Sequence, residues 1–78
     1  MKIGSLIVFE EEAQGYDLVQ KQGSLFRNDL VRINTGACGI VCKIYEYPST
    51  DMKLAEILIG NKVIYDVNLN KHDYKLIN

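Results

Sequence analysis

From Asp29 to Ile77 apolar and polar residues alternate with a period of two, and glycine, asparagine, proline and serine interrupt the alternation at short intervals. That period belongs to strands, in which successive side chains point to opposite faces. Asp29-Leu30-Val31-Arg32-Ile33 reads as a strand, followed by the turn formers Asn34-Thr35-Gly36. The next strand places Cys38, Ile40, Cys42 and Ile44 on one face and Ala37, Gly39, Val41, Lys43 and Tyr45 on the other. Its cysteine and isoleucine positions are expected in the core. Gly39 inside a strand signals a bulge or a close backbone approach. Tyr47-Pro48-Ser49-Thr50-Asp51 is a loop, because Pro48 has no N–H for a ladder and its neighbours favour turns. Ala55, Ile57 and Ile59 then alternate with Leu54, Glu56 and Leu58. Gly60-Asn61 predicts a tight hairpin turn of primed type. Beyond it, Val63, Tyr65 and Val67 share one face. Asn68–Asp73 predicts a turn or a single helical turn, and Tyr74–Ile77 a closing strand.

The first third of the chain is less regular. Ile3–Phe9 predicts a strand, and Glu10-Glu11-Glu12 a solvated strand end or loop. Residues 13–26 fit two readings. Tyr16, Leu18 and Gln20 alternate with Asp17, Val19 and Lys21 as in a strand, whereas Ala13, Tyr16 and Val19 also fit helical spacing. Gly15 weakens the helix by about 1 kcal/mol relative to alanine, which favours a hairpin between this segment and Ile3–Phe9. Gly23-Ser24 is a break, and Asn28-Asp29 a turn or bulge leading into the next strand. The pattern therefore predicts an all-β single domain over residues 1–78, with an N-terminal β-hairpin extension (1–27) and a small barrel core (28–78). Curling into a barrel solves the problem of exposed sheet edges.

Composition narrows the function classes. A chain of 78 residues with 47% hydrophobic residues has the apolar content of a folded domain but room for one small core. Its net charge is −1, with −2 on residues 1–26 and +1 on the remainder, well short of the basic excess that non-specific nucleic-acid binding needs. Residues 3–9 are too short for a secretory apolar run, and no stretch approaches the ~20 apolar residues of a membrane span. The chain is expected to be soluble and intracellular. Cys38 and Cys42 on one extended strand would lie about 13 Å apart, beyond the ~7 Å of a disulfide. They read as small hydrophobes that are buried or half-buried. His72, the one histidine, lies between Lys71 and Asp73 and reads as a solvated turn residue. No nucleophile signature, phosphate loop or four-ligand metal set accompanies it, so neither an enzyme nor a cofactor or metal is expected.

Asp29-Leu30-Val31-Arg32-Ile33, Gly36, Gly39-Ile40-Val41, Ile44, Ala55-Glu56-Ile57-Leu58 and Tyr74-Lys75-Leu76-Ile77 together resemble the small SH3-like and KOW-like barrels, of a kind frequent among uncharacterised bacteriophage proteins. The resemblance implies a small SH3-like barrel and a phage-encoded chain, located in the host cytoplasm or the virion. No family ligand residues carry over. The leading functional expectation is a non-enzymatic protein–protein interaction module: a virion or assembly component, or a modulator of a host protein. It would act by self-association or on a host or virion partner. Tyr45, Tyr47 and Pro48 near one loop are candidate binding residues, because tyrosine joins a large apolar area to a polar tip. Glu10, Glu11 and Glu12 are a candidate contact for a basic partner or a guard on a strand edge. The alternative is a nucleic-acid-binding KOW-like barrel in which Arg32 and Lys43, on neighbouring strands, hold phosphate while Tyr45 stacks a base.

Overall fold

A computed structural model describes residues 2–21 and 24–77. It contains seven strands in chain order: β1 (Leu6–Phe9), β2 (Ala13–Lys21), β3 (Ser24–Ile33), β4 (Cys38–Glu46), β5 (Lys53–Ile59), β6 (Lys62–Asn68) and β7 (Tyr74–Leu76). They form one antiparallel sheet in the order β3-β2-β6-β5-β4-β1-β7, curled into a half-barrel. The all-β reading holds. Residues 13–21 are strand rather than helix, and the expected last strand forms as β7, at one end of the sheet beside β1.

The expected hairpin between Ile3–Phe9 and the segment 13–26 is not seen among the described residues. β1 pairs with β4 and β7, while β2 pairs with β3 and β6. The strand also begins later than the apolar run. Gly4 takes a φ of 91° in a turn, and its N–H donates to Val41 O at 2.8 Å. Ile3 is left exposed. Apolar content alone does not report a positive-φ turn at its own start.

A meander of β4, β5 and β6 forms the centre. Val41, Ile57 and Ile64 lie opposite one another across the three strands, and so do Ile44, Ala55 and Val67. Five of these six are buried and Ile44 packs against them, with Ile7, Phe9, Ala13, Ile33 and Leu69 completing the core. Between the two rows β5 advances two residues but β4 and β6 advance three each. Cys42 is thus an extra residue in β4, and a second bulge occupies Tyr65–Asp66 in β6, where Asp66 has a φ of 55°. An extra residue moves every later side chain to the opposite face.

These bulges overturn two face assignments. In β4 the inward residues are Gly39 and Val41 before the bulge and Ile44 after it, so Cys38 and Ile40 are exposed and Cys42 is half-buried. In β6 Ile64 and Val67 both point inward across the bulge, so Val67 does not share the face of Val63. β5 has no extra residue of its own, and its expected Ala55, Ile57, Ile59 face holds. A third bulge leaves Asn28 unpaired between Arg27↔Leu18 and Asp29↔Asp17. The expected bulge at this point is present, but β3 runs through it without ending.

Two turns behave as their residues require. The β5–β6 link pairs Ile59 with Lys62 around Gly60, whose φ is 65°. Positive φ at the first central position alone is the pattern of a type II′ turn. The β3–β4 link folds back on the end of β1, with Phe9 N donating to Ala37 O at 3.0 Å and Gly36 N to Phe9 O at 2.7 Å. That contact brings the end of β3 over the core and seats Ile33 beside Phe9 in the buried cluster.

Gly15 and Gly39 are the tightest points of the interior. A methyl group on Gly39 would run into the Ile57 side chain and lie 3.2 Å from Leu58 O; on Gly15 it would run into Ile64 and lie 2.8 Å from Tyr65 O. Side chains have some freedom to move aside, but a main-chain oxygen in a ladder has less. Gly39→Ala should therefore destabilise by about 1–2 kcal/mol and Gly15→Ala by about 2–3 kcal/mol, measured by urea unfolding. Ser49→Ala in the exposed β4–β5 loop should stay within about 0.5 kcal/mol of the parent chain.

Candidate protein-interaction site

β4 and β5 present the tyrosines. After the Cys42 bulge, Lys43 and Tyr45 point outward together, beside Glu56 of β5. The Tyr45 hydroxyl donates to Glu56 Oε2 at 2.9 Å. Accepting that bond is the main way the Glu56 carboxylate raises the Tyr45 pKa above its ordinary 10.0; partial desolvation and the negative charge add to it, and Lys43 opposes it. Tyr45 remains 42% exposed, so its ring still offers an apolar surface while its hydroxyl is held.

The β4–β5 loop that follows is pinned by its own main chain. Tyr47 O accepts from Thr50 N at 2.9 Å and from Thr50 Oγ1 at 3.2 Å, and Thr50 Oγ1 accepts from Met52 N at 3.2 Å. From outside the loop, the Asn70 side-chain amide donates to Asp51 O. The Glu46 and Lys53 side chains meet at 3.7 Å across the base. Tyr47 (45% exposed), Pro48 and Met52 stand on this frame and, with Asn70, line a surface cleft of about 350 Å³. Tyr45, Tyr47 and Pro48 therefore do belong to one region, the end of β4 and the loop beyond it. Asn70 and Met52 escaped the sequence reading. The signal for Asn70 was the Asn68-x-Asn70 pair, since Asn68 Oδ1 accepts from Asn70 N at 3.1 Å and so fixes the turn that presents it.

The acidic run lies elsewhere and is largely engaged. Glu10 follows β1, which pairs with the beginning of β4, whereas Tyr47 follows its end. Glu11 Oε1 accepts from Asp73 N at 3.2 Å, Glu11 Oε2 lies 3.7 Å from His72 Nδ1, and Glu12 pairs with Arg32 at 3.4 Å. The three glutamates lie in the link between β1, which is interior to the sheet, and β2. His72 is not a solvated turn residue: its side chain is 14% exposed, and its buried Nδ1 makes no hydrogen bond within the described residues. The thiols of Cys38 and Cys42 are free and approach the carbonyls of Gly36 and Ile40.

The nucleic-acid set is not brought together. Arg32 and Lys43 were expected on neighbouring strands, but β2, β6 and β5 lie between β3 and β4 in the hydrogen-bonded order. Consecutive strands in the chain are not adjacent here because β2 and β3 pair with each other and are joined to the meander through β6. Arg32 is also ion-paired with Glu12. No group of three His, Cys, Asp or Glu residues suited to a metal occurs among the described residues.

Comparison of the chain with protein-family models, with curated proteins and with solved structures finds no match.

The Tyr45–Glu56 bond has a titration signature. A tyrosine whose folded pKa is raised adds stability that is fully present below its unfolded pKa and is lost as pH rises through the folded value. Ultraviolet titration should show one tyrosine ionising above the ordinary 10.0, and Glu56→Gln should bring it down toward that value. Its small stability contribution should be intact at pH 9 and decline above about pH 10.

Proposed function

We propose that this chain is a non-enzymatic module that binds another protein through the end of β4 and the β4–β5 loop. The observation that carries it is the pair Tyr45 and Tyr47, each more than two-fifths exposed, mounted with Pro48 on a loop fixed by five hydrogen bonds to or within its backbone. Aromatic side chains already held in place lose little entropy on binding, which is why such positions become interface anchors. The cleft beside Tyr47 has charged walls at Glu46 and Lys53 and an apolar side at Pro48 and Met52. That mixture suits a peptide or loop of a partner protein with one apolar anchor and flanking polar groups.

We further propose that the half-barrel is of the SH3-like type. The β4–β5–β6 meander, the turn after Asn68 and the short β7 returning to β1 support this reading. The long β2–β3 hairpin is then an insertion between β1 and β4 rather than an N-terminal addition. A phage-encoded role, as a virion or assembly component or as a modulator of a host protein, is suggested by the family resemblance of the Asn28–Ile77 sequence.

The test is affinity capture by the immobilised chain from phage-infected and uninfected bacterial lysates, with Tyr47→Ala and Pro48→Ala chains in parallel. Proteins retained by the parent chain should be retained about thirtyfold less by Tyr47→Ala, the loss of one aromatic anchor of roughly 2 kcal/mol. Circular dichroism should show both variants folded. Equal retention by all chains, or none by the parent, removes the proposal. A titration with labelled DNA and RNA at low salt separates the alternative: binding that is lost in both Arg32→Ala and Lys43→Ala would favour a nucleic-acid ligand instead.

A further inference from the structure

We propose that a pocket beside the β5–β6 turn binds an aliphatic carboxylate, with the carbon chain inside the half-barrel and the carboxylate on Lys62. The pocket has a volume of about 230 Å³. An apolar cavity of about 150 Å³ holds benzene, so this one has room for an aliphatic chain. Ile33 and Ile64 form its floor and are buried. Val31, Ala37 and Ile59 stand around them, half-buried and packed against the core. β2 lies between β3 and β6, and the residue it sets opposite Val31 is Gly15, which puts no side chain between the two walls. An apolar interior with a few polar groups at its lip is the usual form of a ligand site in the mouth of a β-barrel.

The charge at the lip selects the occupant. Lys62 pairs with Ile59 across the turn, and residues directly opposite share a face, so its side chain starts on the inner side. Its ammonium lies 2.9 Å from Asp17 Oδ2, and the Lys62 side chain is 52% exposed. An ammonium has three donors, so the bond to Asp17 leaves Lys62 able to hold a second carboxylate. Arg32 is not a second cation here. It alternates with Val31 and Ile33, so its side chain leaves the pocket, and it pairs with Glu12. Asn34 completes the lip, and no Asp or Glu lines the pocket among the described residues. An anionic head group therefore meets a cation there and no carboxylate of the lining. A free fatty acid and the carboxyl end of a peptide share this chemistry. The pocket and the Tyr47 loop lie at opposite ends of β5, so each proposal stands if the other fails.

Proton–nitrogen NMR titration of the full chain tests it. Sodium octanoate should shift the amides of Val31, Ala37, Ile59 and Ile64 saturably, with a dissociation constant on the order of 1 mM. Acetate lacks the chain and octylammonium reverses the charge, and each should bind at least about tenfold more weakly. The dipeptide acetyl-Gly-Leu carries its carboxylate beside an aliphatic side chain. Tighter binding of the dipeptide assigns the site to a peptide end, and tighter binding of octanoate assigns it to a free fatty acid. Lys62→Gln should weaken octanoate binding about tenfold, whereas Lys62→Arg should keep it, because the charge and not the packing of this half-exposed side chain holds the ligand. Ala37→Leu, checked as folded by circular dichroism, should abolish binding by filling the pocket, and Tyr47→Ala should bind like the parent. The proposal is overturned by the absence of saturable shifts with both octanoate and the dipeptide, by octylammonium binding as tightly as octanoate, by unchanged octanoate affinity in Lys62→Gln, or by shifts centred on the Tyr47 loop instead.

Discussion

The fold depends on what happens around Glu56. On either side of it β5 contributes Ile57 and Ala55 to the interior. The neighbouring strands reach the same two levels only by spending an extra residue, at Cys42 on β4 and at Tyr65–Asp66 on β6. Two bulges at one level bend both flanks of the meander about the same line. A bulge raises local twist and bends its strand, so this pair turns a three-stranded meander into a trough. The trough is what lets Ile7 and Phe9 from β1 and Ala13 and Ile33 from the other side meet in one buried cluster. The same bulges decide what faces outward, since without the extra residue at Cys42 Lys43 and Tyr45 would point into the core.

Closure then requires room. Gly39 accepts Ile57 from the neighbouring strand, and Gly15 accepts Ile64 and Val67 from β6. Each glycine leaves room for a bulky β-branched residue of the adjacent strand in the curved sheet. The connection from β6 to β7 completes the structure as a strap. Leu69 is buried, with its N–H donating to Lys53 O at 2.9 Å; Asn70 holds the Asp51 carbonyl, and the main chain of Asp73 bonds both Glu10 and Glu11. One short segment therefore fixes the tyrosine loop at one end and the acidic β1–β2 link at the other. The Glu10 main chain and the Glu11 side chain belong to this fastening, whereas Glu12 pairs with Arg32 of β3.

The sequence was most legible where the strand period ran without interruption. β5, the Gly60-Asn61 turn and β7 were recoverable from alternation and turn chemistry alone. The faces of β4 and β6 were not, because a bulge is an extra residue and not a residue type, and nothing in Cys42 or Tyr65 announces it. Gly39 gave a true warning of close approach without saying which face it occupied. The partner of β1 was illegible for a different reason. A strand followed by another strand suggests a hairpin, but Glu10-Glu11-Glu12 leads away from β1 and is held by Asp73, sixty-two residues from Glu11 in the chain. Long-range contacts of this kind have no local signature. The tyrosine region was legible as an aromatic loop; its fixation by Asn70 depends on packing between distant segments and was not.

The two ends of the sheet differ in a way that bears on how so small a domain persists. A chain of this size buries a modest share of its surface, and its stability rests on few interactions. β7 is too short to invite another strand, and its edge is harmless for that reason. β3 is long, and it is joined to the core by β2 and by the seating of Ile33, while β2 meets β6 through the single register pair Tyr16↔Tyr65 and the close contact at Gly15. Among the described residues the β2–β3 hairpin is thus joined to the meander by a short ladder, and β3 has a strand on one flank only. Any ligand or second copy that pairs with that edge binds the folded arm and not the unfolded one, and by mass action it stabilises the whole chain. Such pairing would add ladder bonds to the arm that has few of them and so tie it to the half-barrel.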